Sequence, residues 1–280
     1  MEAEFATRAE DGVVLRGARE GEGPPVILAH GLTAHRDLVV HGSRALPRAG
    51  YDVIRYDARA HGTSDPGASG SRNYEALSGD LAAVIAEVGA RRPVLAGHSM
   101  GAHTIASLAL RDPEAVAAVV IIGPAIVGGV SDEESLAVWD RLADGLAGGG
   151  VDGFIEAYSP GLDPSWSETL IRIARERLGK HRDLPALAEA LREVPRSAPF
   201  GGLAELEALD LPALVVASHD EADPGHPFAV AEAWAESMPQ ARLISEAEGE
   251  SPLAWQGGKL SRVIADFCAE PAVRERLGYR

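Results

Sequence analysis

Apolar residues in this chain come in short bursts with two alternating spacings. On either side of Asp11-Gly12, residues 4–8 and 13–19 alternate or run apolar, which predicts a β-hairpin. Val26-Ile27-Leu28-Ala29, set off by Pro24-Pro25, reads as a short buried strand. Residues 52–56, 94–96, 116–122, 213–217 and 241–245 read the same way. Helical spacing separates these runs. Leu38, Val39, Ser43 and Leu46 share one face over 37–49, and Leu77, Leu81, Val84, Ile85 and Val88 share another over 74–89. Further helices are predicted over 103–110, 227–237 and 253–269. Regular strand–helix alternation predicts an α/β fold, with a mostly parallel central sheet and helices on both faces.

The alternation stops between 127 and 199. Helical stretches are predicted there over 132–146, 153–158, 166–178 and 184–194, and no strand is. Gly148-Gly149-Gly150 is expected to end the first of them. The predicted organisation is therefore a core formed by 1–126 and 200–280, with 127–199 inserted as a helical cap. Trp139, Tyr158 and Trp166 would make a pocket under it apolar if they face inward.

Composition narrows the class. Hydrophobic residues make up 46% of 280, enough for a sizeable core, so disorder is excluded. The 42 acidic residues against 26 basic ones give a net charge of −16, which argues against nucleic acid and against an anionic membrane surface. No run approaches the roughly 18 apolar residues of a spanning helix, and Met1-Glu2-Ala3-Glu4 has no basic flank or apolar stretch. A cytoplasmic protein is expected; its oligomeric state is not readable. The single cysteine, Cys268, excludes an internal disulfide and a cysteine-rich zinc site.

The chemistry centres on Gly97-His98-Ser99-Met100-Gly101, a Gly-x-Ser-x-Gly run between a predicted strand and a predicted helix. A tight turn there would push the serine hydroxyl out of the sheet, and the two glycines would let strand and helix close on each other. An acyl-transferring serine needs an oxyanion hole, a base and a group that orients the base. The N–H of Met100 is one hole donor. Leu32 is the candidate for the second, because His30-Gly31-Leu32 leaves its strand at the same sheet end. His30 is read as a shaper of that loop.

With these residues in place, the chain resembles the α/β-hydrolase superfamily, in its lid-bearing esterase and peroxidase-like branch. The resemblance covers nearly the whole chain. It rests on the His30-Gly31 strand end, the loop Asp57-x-Arg59-x-His61-Gly62-x-Ser64, the Ser99 run, the cap, and the order of the last elements. Ala60 departs from it, standing where a second glycine is usual. The resemblance implies Ser99 as nucleophile and Leu32 and Met100 as hole donors. It also implies an acid in the loop after the strand before last. Ala217, Asp220 and Pro224 match both family intervals, whereas Asp223 with Pro227 matches one, so Asp220 is preferred and Asp223 is the alternative. A metal held by His219, Asp220, Asp223 and His226 is disfavoured by the short, Pro-broken run, and no cofactor is expected.

The expected histidine is missing. No histidine lies beyond His226, and Glu250 occupies the slot after the last strand. The predicted catalytic set is therefore Ser99, Asp220 and Glu250, with the two carboxyls close enough to share a proton. A relocated base at His35, His219 or His226 is the alternative. The expected function is a serine hydrolase acting on small carboxylic esters, thioesters or lactones. The alternatives are a catalytically weak or inactive binding or accessory protein, or non-hydrolytic chemistry in the same pocket.

Overall fold

The computed structural model describes residues 2–220 and 222–278. Its strands are β1 (Ala3–Arg8), β2 (Val14–Glu20), β3 (Pro25–Ala29), β4 (Asp52–Asp57), β5 (Val94–His98), β6 (Ala118–Ile122), β7 (Ala213–Val216) and β8 (Ala241–Ile244). Its helices are α1 (Ala45–Arg48), α2 (Tyr74–Glu87), α3 (Met100–Arg111), α4 (Glu133–Tyr158), α5 (Ser167–Leu178), α6 (Leu184–Glu193), α7 (Leu203–Leu206), α8 (Phe228–Ser237), α9 (Gly257–Cys268) and α10 (Pro271–Leu277). The strands form one sheet in the order β1-β2-β4-β3-β5-β6-β7-β8. β2 pairs antiparallel with β1 and β4, and every other pairing is parallel. This is an alpha/beta hydrolase fold, with helices on both faces of the sheet.

Side-chain alternation along the strands builds two cores at once. Ile27, Leu95, Val119, Ile121 and Val215 face a cluster that includes α2, α3 and α8. Val26, Leu28, Val94, Val120 and Leu214 face the opposite cluster, closed by Leu46, Leu260, Ile264 and Phe267. Cys268 is a buried member of that second cluster. Strand order reverses at β3 and β5, so their carboxyl ends flank the crevice where ligands of such sheets bind.

One predicted helix takes another form. Residues 37–49 form a series of turns with only the short α1, because His41 (φ 47°) and Gly42 (φ 69°) adopt left-handed backbone. The glycine triplet interrupts its helix, as expected. The chain breaks at Gly150 (φ 59°) and resumes a helical path to Tyr158, folding back so that a Cβ on Gly145 would lie 2.3 Å from the Gly153 carbonyl oxygen. The two halves of α4 thus cross at paired glycines with backbones in contact.

Between β6 and β7, the regular elements among the described residues are all helical. Helices α4, α5 and α6 have their own small core of Leu142, Leu146, Phe154, Leu178, Leu187 and Leu191. Leu32, just after β3, packs against both this core and the sheet core. Hydrogen bonds to the loops after β3 and β4 also fasten the segment. Arg182 N–H donates to the Gly62 carbonyl at 2.9 Å, and His181 Nε2–H donates to the Thr33 carbonyl at 2.9 Å. His181 Nδ1 in turn accepts the Gly62 N–H at 2.9 Å, a geometry that only the neutral ring supplies.

The loop after β4 is held by buried charge. Arg59 forks onto Asp80 of α2 with two 2.7 Å bonds, Arg59 being 2% and Asp80 0% exposed. Burial pushes the Asp80 carboxyl above its usual value, against the pull of Arg59. Asp80→Ala leaves the guanidinium with the half-exposed Asp11 as its one carboxylate among the described residues, beside the Ser71 carbonyl, and is expected to lower stability by about 3–5 kcal/mol. A urea melt with an unchanged midpoint would contradict this.

Neutral buried histidines give a second expectation. Burial pushes His181 and His103 down to about 4, and it also lowers His30 and His61. In the unfolded chain these rings protonate near pH 6.5, so the unfolded state binds more protons between pH 6.5 and 4. Their contribution to stability is complete above pH 6.5 and is lost as pH falls toward 4. By pH 5, His181 and His103 should each have cost roughly 2 kcal/mol. Urea midpoints at pH 7 and pH 5 measure this, and equal midpoints would refute it.

Candidate active site

β5 ends at the crevice and α3 begins at Met100, so the chain must reverse direction within one residue. That residue is Ser99, with φ 53° and ψ −115°, a conformation a residue with a side chain adopts only under local constraint. Its N–H donates to the Ile122 carbonyl at 3.0 Å, and its carbonyl accepts from His103 N–H at 3.1 Å. Missing side chains permit the turn. A Cβ on Gly97 would stand 2.5 Å from the Gly101 carbonyl carbon, and one on Gly101 would stand 2.1 Å from the Ala29 oxygen. A Cβ on Gly31 would come within 3.3 Å of the Ser99 Cβ. The loop after β3 therefore lies directly against the turn, with Leu32 next in sequence. Met100 is the first residue of α3, so its N–H belongs to the set that a helix leaves without an intrahelical acceptor.

That loop is fixed by neutral polar contacts. His30 Nε2 accepts the Ala58 N–H at 3.0 Å and Nδ1–H donates to the Gly31 carbonyl at 2.9 Å, so both ring nitrogens are engaged. Asp57 accepts from Arg36 N–H, Thr63 N–H and Thr63 Oγ1–H at 2.9–3.0 Å.

The loop after β7 brings a histidine–carboxylate pair to the same place. His226 Nδ1 lies 2.8 Å from Asp223 Oδ2. The His226 ring is 4.9 Å from that of His98, the residue before Ser99. Gly123, at the end of β6, lies beneath both: a Cβ there would stand 3.4 Å from His98 Nε2 and 3.5 Å from His226 Cβ. Burial, joined by repulsion from His226, pushes His98 down to about 3, so this ring is neutral. Burial works against ionisation of Asp223, but the bond from His226, with the electrostatic influence of the His226 and His98 rings and of Arg177, outweighs it. The carboxyl is held below its usual value.

The residues preferred from sequence are placed differently. Asp220 accepts the Ala222 N–H at 3.0 Å and the Trp255 indole N–H at 2.8 Å. Trp255 lies 6.1 Å from the His98 ring, and the Asp220 carboxylate is engaged by its indole, whose nitrogen only donates. Glu250 does not join Ser99 and Asp220. It is exposed, paired with Lys259, and accepts the Ala247 N–H at 3.3 Å. Lys259 holds its carboxyl below the usual value, opposite in direction to the rise expected from a neighbouring Asp220. The cause is the turn at Gly249 (φ 79°), which carries Glu250 outward.

Glu246 turns inward instead. It is buried and accepts the His219 N–H at 2.5 Å and the Leu253 N–H at 2.9 Å, tying the loops after β7 and β8 together. Sequence reasoning gave Glu246 and Trp255 no role, and neither carries a motif that would have marked it. Of the other histidines considered as a base, His219 is exposed and stacked on Phe228 at 3.9 Å, and His35 faces Asp37 at 3.7 Å. Among the described residues, no cluster of three or more His, Cys, Asp or Glu side chains could hold a metal ion. None of their helices is long and apolar enough to cross a membrane.

Comparison with known proteins bears on the fold and the family. The chain is 36% identical over 106 residues to the sn-1-specific diacylglycerol lipase ABHD11 of Mus musculus, a match spanning 38% of this chain and 34% of that protein. It thus spans about a third of the length of the first curated relatives it matches. Among solved structures, the enol-lactonase of Burkholderia xenovorans superposes with a TM-score of 0.75 at 21% identity, over 95% of this chain and all of that one. The esterase EaEST of Exiguobacterium antarcticum gives 0.76 at 20% identity, over 95% and 99% of the two chains. The family described as alpha/beta hydrolase fold matches residues 24–205, well over half of the sequence, and the chain belongs to that family.

Proposed function

We propose that this chain is a serine hydrolase of small carboxylic esters, thioesters or lactones, with Ser99 as nucleophile, His226 as base and Asp223 as the group that orients it. The observation that carries this reading is the 2.8 Å His226–Asp223 pair lodged against His98 beside the strained Ser99 turn. A carboxylate on Nδ1 fixes the neutral ring in the tautomer that keeps its proton there, and leaves Nε2 free to accept one. Ser99 Oγ attacks the acyl carbon while its proton passes to His226. The N–H groups of Leu32 and Met100 hold the oxyanion. The leaving group takes the proton from His226, and water, activated by the same ring, then frees the acid from Ser99. Residues 127–199 serve as a cap that excludes water from this chemistry. Names such as esterase, lactonase and lipase among the similar proteins support the class.

This reading puts Asp223 and His226 where sequence analysis preferred Asp220 and Glu250. The Trp255 bond to Asp220 favours one alternative, a pocket that binds without turnover, because the carboxylate preferred as the acid is engaged by an indole. Steady-state hydrolysis of activated short-chain esters separates the readings. Ser99→Ala should abolish turnover, and His226→Ala should lower kcat/KM about 10²–10⁴-fold. Asp223→Asn should also lower it strongly, whereas Glu250→Gln should leave it within about twofold. A Glu250→Gln loss as large as that of His226→Ala would restore the Glu250 assignment. Absence of turnover in the wild type would favour the binding pocket.

A further inference from the structure

Helix α5 carries three arginines, Arg172, Arg175 and Arg177. Arg172 pairs with Glu176 and Arg175 with Asp152, both at the surface. Arg177 is different. It is half-buried, its Nε is shut off from solvent, and that nitrogen has no hydrogen-bond partner among the described residues. Among the described residues no carboxylate lies within ion-pair distance of it, although 42 acidic residues are spread over the chain. Its electrostatic neighbours are the phenol of Tyr158 and the carboxylate of Asp223, and its charge also reaches His98. Asp223 is already committed to His226. Arg177 thus stands on the cap side of the His98–His226–Asp223 group with its hydrogen-bonding capacity unfilled. A buried guanidinium without a partner is costly, and what relieves the cost is a planar, bidentate anion.

We propose that Arg177, with the Tyr158 hydroxyl beside it, receives a carboxylate of the substrate, so that the preferred substrates are half-esters, thioesters or lactones that carry a free carboxylate. This rests on the serine hydrolase reading for the reaction, but not for the binding. A chain with net charge −16 repels small anions at long range, and a fixed, desolvated arginine at the site counters that repulsion where it matters. It also sets polarity along the pocket: the carboxylate is held at α5 and the acyl carbon is left toward Ser99. Burial works against the charge of the guanidinium and lowers its value, against the pull of Tyr158 and Asp223.

The test uses the full chain and two series of ethyl esters. One is the monoethyl esters of succinate, glutarate and adipate, and the other is neutral ethyl esters of equal chain length. Ethanol release should give a kcat/KM at least tenfold higher for the best anionic ester than for its neutral partner. Arg177→Gln should erase that ratio mainly by raising KM, and Arg177→Lys should restore part of it. Calorimetry with glutarate on Ser99→Ala protein keeps the two readings apart, because binding that weakens tenfold on adding Arg177→Gln supports the carboxylate site even if no ester is hydrolysed. An equal loss for anionic and neutral esters would overturn the proposal and make Arg177 a positioning residue for Asp223. Glutarate binding that is absent, or indifferent to Arg177, would overturn it as well.

Discussion

The structure depends on the close approach of three backbones at Ser99. The end of β5, the start of α3 and the loop after β3 meet at Gly97, Gly101 and Gly31, and a methyl group at Gly97 or Gly101 would fall at 2.5 Å or less from a backbone atom. At Gly31 it would meet Ser99 and His98 side-chain atoms at 3.1–3.3 Å. The turn itself is strained, with a non-glycine residue at φ 53°. Such strain persists only when the surroundings over-determine it. Here the bonds from Ser99 to Ile122 and from His103 to Ser99 do so, as does the fully apolar packing of β5 between its neighbours. The same constraint underlies the proposed function, in which the turn presents the serine hydroxyl at the switch point beside the first N–H of α3.

Around that point the molecule holds its ionisable groups neutral or tightly paired. His30, His61, His103 and His181 are buried and pushed toward the neutral form, and their ring nitrogens serve the loops that frame the crevice. Protonating His30 or His181 would displace a backbone N–H from a ring nitrogen. Arg59 and Asp80 neutralise each other beneath the loop after β4. Asp223 and His226 form the one half-buried histidine–carboxylate pair beside Ser99 among the described residues. Arg177 brings positive charge to this group from the helical segment.

Most of the fold was legible in the sequence because its signals are local. Parallel strands buried on both faces read as short apolar runs, and the glycines flanking Ser99 mark the turn. The helix expected over 37–49 failed because two left-handed residues, His41 and Gly42, override its apolar spacing. The break at Gly150 and the helix after it were legible, but not how the second half folds back on the first, since that depends on the Gly145–Gly153 contact between the two halves. The site was harder to read for a similar reason. Spacing alone favoured Asp220 and Glu250. Which carboxylate meets a histidine is decided by how the loop after β7 curls, and Glu250 is drawn off by Lys259 nine positions later. Trp255 on Asp220 and the unpartnered Arg177 are tertiary facts without a sequence motif.

The central claim is that Ser99 is activated by His226. Its most direct measurement is the rate at which a fluorophosphonate becomes attached to the protein, followed by intact mass and by peptide mapping. The account predicts one adduct, on Ser99, that is absent in Ser99→Ala and forms at least a hundredfold more slowly in His226→Ala. An unlabelled wild type, or a His226→Ala protein labelled at the wild-type rate, would contradict it.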